Sequence, residues 1–398
     1  MNILIINTLY NPYISGGAEI ICQELAEGLK SLGHNIVVLS TSNKKGVIKD
    51  FVNGIKVYRI GICNLYWHYS PGKINNVRKI IWHIKDVYNV KMSSYIGDIL
   101  NSEQIDIALC HNLTGFSISI WDMLKKHRIP ILQILHDQYL ICPNSNAFKK
   151  GRACKEQCLI CKIFRIIHSI KSNKVDVVIG VSNYILNRIC KKGFFKQSFK
   201  YVIHNARNIP MVYKPKEWDG ISTLKIGYIG TLSKVKGLEW LISSFMDLNI
   251  NATLTIAGKG ESKEYEDYLK KMSSKDDRIK FIGYATPLFH YNNIHLSIIP
   301  SLWPDTFPGV AYESCAFNIP VICTNIGGLP EIIKNEVNGL ICSINNPDSL
   351  KNAILDCYNN PYLLNKLSVQ ARSSVESMLD TKSYLSKYNE IIISTLKR

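Results

Sequence analysis

Read from its amino terminus, the chain alternates short apolar runs with longer stretches in which apolar residues recur every three or four positions. In the first half the runs are NILIIN, NIVVLS, IKVYRI, IDIALC, IPILQIL, VDVVIGV and KYVIH. Near-continuous Val, Ile and Leu is the pattern of parallel strands covered on both faces, and the intervening segments are long enough for crossover helices. LKIGYIG, ATLTIAG, RIKFIG, LSIIP and IPVICT repeat the scheme in the second half. Two successive series of alternating strands and helices predict two doubly wound α/β domains.

The pattern breaks over Asn205–Thr223, NARNIPMVYKPKEWDGIST, where prolines and scattered charges mark the join. After about Leu350 the periodicity is helical to the end, with Asp380 as the N-cap expected for a last helix from about Lys382 to Leu396. The predicted organisation is an N-terminal domain over residues 1–208, a C-terminal domain over 209–378, and a terminal helix over 379–398 that packs back toward the N-terminal domain.

Composition adds limits. The chain has 398 residues, 46% of them hydrophobic and 20% charged, a balance that fills two full cores and excludes disorder as the default. No apolar run approaches the roughly 20 residues that span a bilayer. The first run has no basic segment before it and reads as a buried strand rather than a leader, so a cytoplasmic chain is expected, either free or on the inner face of the membrane. The 12 cysteines stand singly except for one cluster, as in a reducing compartment.

Charge changes the picture more. The formal net charge is +17; up to Lys214 there are 29 Lys and Arg against 12 Asp and Glu, and from Pro215 onward 19 against 19, so the whole excess lies in one half.

Open parallel sheets hold ligands at the carboxyl ends of their strands, which points to the loops there and to a cleft between the domains. In TLYNPYISGGAEI, Gly16 and Gly17 let backbone approach a ligand just before a helix expected from Glu19. A plain glycine turn fits this loop equally well. In GYIGTLSKVKGLEW, Gly230 ends a strand and Lys236 stands where a helix begins after Gly237. An ammonium beside oriented amides suits a pyrophosphate, and a solvated lysine is the alternative. IAGKGES adds Gly258 and Gly260, and TNIGGLPEII a further glycine pair.

In SLWPDTFPGVAYES two acids, Asp305 and Glu313, lie eight positions apart. From the acid content roughly 2 such pairs are expected by chance, so the setting decides. Pro308 and Gly309 bar a continuous helix, which leaves Asp305 in a loop and Glu313 about one turn into the next helix. The N–H groups of Phe307, Gly309 and Val310 between them form a cradle for an anion and hydroxyls. The arrangement reads as a nucleotide-sugar clamp.

The ordered series GGAE, HNLTGFS, LHDQYLICP, VIHNA, GTLSKVKG, AGKGE, PSLWPDTFPGVAYES and GGLPEII followed by NGLI resembles the retaining glycosyltransferases of family 4 over nearly the whole chain. The resemblance implies the GT-B architecture of two facing Rossmann-like doubly wound domains. It implies that Glu313 holds the donor's ribose hydroxyls, that Lys236 binds the diphosphate and Gly17 approaches it, and that Asp305 lies near the transferred sugar. It also implies that His136 of LHDQYL contacts that sugar; His111 of CHN is placed on the acceptor side. For either histidine alone a structural hydrogen bond is the other reading. Tyr284 is placed against the base. The sequence departs from the family pattern in three places. Asp305 is shorter than the family's glutamate by about 1.5 Å of reach. Thr231 stands where an arginine is common, with Lys234 the neighbouring cation. Pro308 removes one N–H donor.

The implied reaction moves a sugar from a nucleotide-diphosphate sugar to a glycan or lipid-linked acceptor of the bacterial cell envelope, with no divalent metal required, and stabilises the charge on the departing diphosphate. A sugar-nucleotide epimerase, a glycan phosphorylase and a catalytically weak nucleotide-sugar-binding partner remain as alternatives. KINNVRKIIWHIK, CKIFRIIHSIKSNK and ICKKGFFKQSFK mix cations and bulky apolar residues at helical spacing. Reversible contact with an anionic membrane and ordinary solvated faces over core stripes both fit them. No nucleic-acid reader motif accompanies the basic residues. Cys142, Cys154, Cys158 and Cys161 share one loop, which allows a structural zinc site, reduced thiols or a disulfide.

Overall fold

The computed structural model describes residues 1–70, 74–149, 151–210 and 216–398. Met211–Pro215 of the expected join, Lys73 of the first basic segment and Lys150 of the cysteine loop lie outside them. The chain divides into two compact units. The first comprises Met1–Ala147, Lys155–Asn205 and Thr381–Arg398, the second Phe148–Cys154 and Ala206–Asp380.

The first unit opens with β1 (Asn2–Ile6), α1 (Gly17–Ser31), β2 (Asn35–Ser42), β3 (Val47–Val52) and β4 (Ile55–Gly61). It continues with α2 (Asn76–Val87), α3 (Val90–Glu103), β5 (Ile107–Cys110), α4 (Ser119–Lys126) and β6 (Ile131–Leu135). The small hairpin of β7 (Phe148–Lys149) and β8 (Arg152–Ala153) belongs to the second unit, after which the first resumes with α5 (Leu159–Lys171), β9 (Val177–Gly180), α6 (Asn183–Cys190) and β10 (Phe199–Val202). The eight strands order as β10-β9-β6-β5-β1-β2-β4-β3, all parallel except the β3–β4 pair. Central strands are buried along their length, as expected where helices cover both faces. The edge strand β3 instead alternates exposed and half-buried residues.

The second unit runs β11 (Leu224–Ile229), α7 (Leu238–Met246), β12 (Ala252–Ala257), α8 (Lys263–Ser273), β13 (Ile279–Gly283) and α9 (Pro287–Asn292). Then come β14 (Leu296–Ile299), α10 (Gly309–Ala316), β15 (Val321–Thr324), α11 (Leu329–Ile332), β16 (Gly339–Cys342), α12 (Ser349–Asn359) and α13 (Pro361–Ser374). Its six strands, β13-β12-β11-β14-β15-β16, are all parallel. The strands share one continuous core with the helices that cover them, in which Ile226, Leu254 and Leu296 pack with Leu241, Phe245 and Ile354.

The terminal helix, α14 (Thr381–Leu396), lies in the first unit against α1. Gly28 makes room for it: a Cβ there would collide with the Leu385 side chain, and His34 Nε2 reaches Asn389 Oδ1 at 2.9 Å.

Candidate active site

In the second unit, β11 and β14 are sheet neighbours, although the chain leaves β11 toward β12 on one side and later returns to β14 on the other. Their carboxyl ends therefore flank a topological switch point, where open α/β sheets take ligands. Gly258, at the end of β12, has φ 139°, and a Cβ there would strike the Gly230 carbonyl, so glycine alone lets these two strand exits close together. A 3-10 turn, Lys234–Lys236, leads through Gly237 at φ 73° into α7.

Lys236 Nζ meets Asp305 Oδ2 at 2.8 Å and lies 5.0 Å from the centre of the Trp303 ring. The loop that carries Asp305 is tied down from two sides. The N–H groups of Leu302 and Trp303 donate to Val235 O at 2.9 and 3.1 Å, and that of Gly328 donates to Asp305 O at 2.8 Å. Beyond Asp305, Pro308 caps α10, so Gly309 and Val310 fall in its first turn, where N–H groups have no partner inside the helix. Glu313 follows one turn later and is 8% exposed. A Cβ on Gly309 would come within 3.3 Å of Glu313 Oε1, so glycine leaves the carboxylate room. The same oxygen accepts from Arg207 Nη1, and the Arg207 N–H in turn donates to Met378 O at 3.0 Å.

The structure thus brings Lys236, Asp305, Gly309, Val310 and Glu313 to one pair of strand exits. Phe307 is buried with its ring 5.9 Å from that of Tyr312. Thr231 is exposed at the end of β11, and its carbonyl accepts from Tyr228 Oη at 2.9 Å. Lys234 Nζ lies 6.0 Å from the Tyr265 ring, a partner separate from the Trp303 and Asp305 set of Lys236. Tyr284 stands just past β13 and is 74% exposed.

The first unit has its own switch point between β1 and β5. His111 follows β5 and His136 follows β6. Their rings stack 13° from parallel, with Nδ1 of His111 2.8 Å from Nε2 of His136. Gln133 Nε2 donates to His111 O at 2.8 Å. Asn112 Nδ2 donates to Asp137 Oδ2 at 2.6 Å, and Thr8 Oγ1 donates to Asn112 Oδ1 at 3.0 Å. His111, Asn112, Gln133, His136 and Asp137 line a small pocket that includes Tyr139. Burial holds the His136 imidazole down at about 4 and pushes His111, which also faces His136, well below the usual histidine range, so both rings are neutral at pH 7. Burial raises the Asp137 carboxyl to about 6.

α1 begins at Gly17, two residues before the expected Glu19, because Glu19 Oε2 accepts from the Gly16 N–H at 2.8 Å and closes the first turn. Nothing lies within 4 Å of where a Gly17 Cβ would stand, so this backbone is open to a ligand.

Cys158 Sγ lies 3.3 Å from Cys161 Sγ at the start of α5. A hydrogen bond with Cys161 lowers the Cys142 thiol to about 6. Cys154 falls in the second unit. Among the described residues no three His, Cys, Asp or Glu side chains are gathered to hold a metal ion.

Sequence reading missed Arg207, Asn112 and Asp137. Arg207 follows VIHNA directly, and the other two adjoin His111 and His136, so a polar residue beside each strand exit was the available signal.

Two family models match the chain: Glycosyltransferase Family 4 over residues 15–209 and Glycosyl transferases group 1 over residues 222–374. The chain is 30% identical over 333 residues to an uncharacterized 42.6 kDa protein in the cps region of Klebsiella pneumoniae, covering 83% of this chain and 87% of the relative. Its fold matches sucrose-phosphate synthase from Thermosynechococcus elongatus with a TM-score of 0.79 at 16% identity, covering 99% of this chain and 98% of the other. It matches Anabaena HepE in complex with UDP with a TM-score of 0.74 at 16% identity, covering 99% and 100%. The architecture is that of the GT-B glycosyltransferases. With both models matched in order, the chain belongs to glycosyltransferase family 4.

Proposed function

We propose that the protein transfers a sugar from a nucleotide-diphosphate sugar, with retention and without a divalent metal, to a glycan or lipid-linked acceptor in cell-envelope polysaccharide synthesis. The observation that carries this reading is the ion pair of Lys236 and Asp305 beside the first turn of α10. An incoming diphosphate exchanges for Asp305 on Lys236 and also draws on the oriented N–H groups of Gly309 and Val310. Asp305, released from the ammonium, is then available to the hydroxyls of the sugar. Glu313, held by Arg207, accepts from the ribose hydroxyls.

As the glycosidic bond to the diphosphate breaks, negative charge grows on the leaving group, and Lys236 with the helix amides stabilises it where it develops. On this reading His136, neutral and oriented by His111, donates or accepts a hydrogen bond at the transferred sugar. Gly17 offers backbone to the diphosphate.

The test is a panel of nucleotide diphosphates and their sugars, first by thermal shift and then by acceptor glycosylation with the product's anomeric configuration read by NMR. An axial or equatorial bond that matches the donor supports retention. An inverted product overturns it, and absence of any donor-dependent shift overturns the clamp.

A further inference from the structure

The two helices α2 and α5 of the first unit are turned inside out relative to an ordinary surface helix. Side by side, they bury three polar residues and a tryptophan and expose aliphatic ones. In α5, Arg165 and His168 are buried, whereas Ile160, Ile163, Ile166 and Ile170 are each between 61% and 65% exposed. In α2, Trp82 and Asp86 are buried, while Ile80 and Ile84 are 54% and 57% exposed. The spacing 80, 84 and 160, 163, 166, 170 puts each set on one helix face.

The inward polar groups join the helices. Arg165 stacks on Tyr139 at 4.4 Å, Tyr139 Oη donates to Asp86 Oδ2 at 2.9 Å, and Arg165 Nη1 lies 2.7 Å from His168 Nε2. With Trp82 and these polar groups filling the inward faces, Ile80, Ile84, Ile160, Ile163, Ile166 and Ile170 are left outside the unit's own packing. Contiguous exposed aliphatic surface of this kind marks a contact surface rather than scattered apolar residues.

Charge identifies the partner. Arg78, Lys79, Lys85 and Lys162 are the exposed charged residues of the two helices, and the one acid in either helix, Asp86, is buried. Two acids next to these helices in the fold or in the chain are already engaged: Glu156, just before α5, with Lys192 at 2.7 Å, and Asp122 with Lys171, the last residue of α5, at 2.6 Å. Two copies of this chain meeting isologously on this face would set cations against cations. An anionic lipid surface satisfies both features, since its acyl region takes the isoleucines and its headgroups take the cations.

We infer that the paired outer faces of α2 and α5 insert in the plane of an anionic bilayer and dock the first unit on it. No helix among the described residues is long and apolar enough to cross a membrane, so the contact lies within the interface. This inference does not depend on the sugar-transfer reading.

The test is co-flotation of the full chain with vesicles of phosphatidylglycerol and phosphatidylcholine, compared with phosphatidylcholine alone. Wild type is expected to float with the anionic vesicles and to be released as salt is raised. A variant with Ile160→Asn, Ile163→Asn, Ile166→Asn and Ile170→Asn is expected to lose at least about tenfold in vesicle affinity. A second with Arg78→Ala, Lys79→Ala, Lys85→Ala and Lys162→Ala is expected to lose at least about 100-fold, since losses of about fivefold per cation multiply over four cations. Both should keep the melting temperature, because the changed side chains are exposed. Equal flotation of wild type and variants would overturn the proposal, as would wild type that ignores anionic vesicles. A monomer-dimer equilibrium in sedimentation, abolished by the isoleucine changes without any vesicle binding, would assign the face to a second copy instead.

Discussion

Lys236 Nζ and Asp305 Oδ2 stand 2.8 Å apart although 69 residues separate them in the chain. The pair joins the loop after β11 to the loop after β14 and neutralises the Lys236 ammonium. On the proposed function, Asp305 is then both a competitor of the diphosphate and a group placed to serve the sugar. Asp305→Asn should therefore tighten binding of the bare nucleoside diphosphate by up to about fivefold, the strength of a half-exposed ion pair, while transfer falls at least about 100-fold. Isothermal titration and initial rates check this. Weaker nucleotide binding by the variant would contradict the competition.

Arg207 and Glu313 form the second pair, with Glu313 almost wholly buried. Arg207→Ala strands that carboxylate and should cost about 1–3 kcal/mol of stability. The double change with Glu313→Gln should cost less than the sum of the singles. Denaturant midpoints of the four proteins measure the coupling, and strict additivity would rule it out.

Acid sensitivity should follow from the histidine pair. The folded His136 has its pKa depressed by burial to about 4, whereas an unfolded histidine binds its proton near 6.5. Between those values the unfolded chain holds more protons, so the stabilisation present above about pH 6.5 is lost as pH falls toward 4. His136→Gln should flatten the melting-temperature slope in that window and leave the slope above pH 7 unchanged. Burial shifts Asp137 and Glu19 the opposite way, and they remain in both proteins.

The sulphur contact of Cys158 and Cys161 at the first turn of α5 favours a disulfide under oxidation. Mild oxidant should remove two titratable thiols and about 2 Da of mass, and Cys158→Ser should prevent it. Stoichiometric zinc in chelator-free protein, with all four cysteines of the loop protected, would assign the tetrathiolate instead.

Much of the fold was legible because strand runs such as NILIIN and ATLTIA are buried on both faces and so are apolar throughout. Strand β3, VIKDFV, was not, since an edge strand paired on one side alternates polar and apolar residues without a core to enforce the pattern. The four residues of β16 were too few to register as a strand. At the site, glycine and proline punctuation located the loops around Lys236, Asp305 and Glu313. Arg207 escaped because its contact with Glu313 spans 106 residues, and its place just after VIHNA does not show which group it meets. The basic-apolar periodicity of α5 was readable, but not which face met the core. Arg165 and His168 turn inward because Asp86 and Tyr139 await them, and pairing of that kind has no local signature.

The clamp is tested most directly by calorimetric titration of wild type, Lys236→Ala and Glu313→Ala with the nucleotide-diphosphate sugar that stabilises the wild type most. Each variant should lose at least about 30-fold in affinity while keeping its secondary structure. Wild-type affinity in both would show that the donor binds elsewhere.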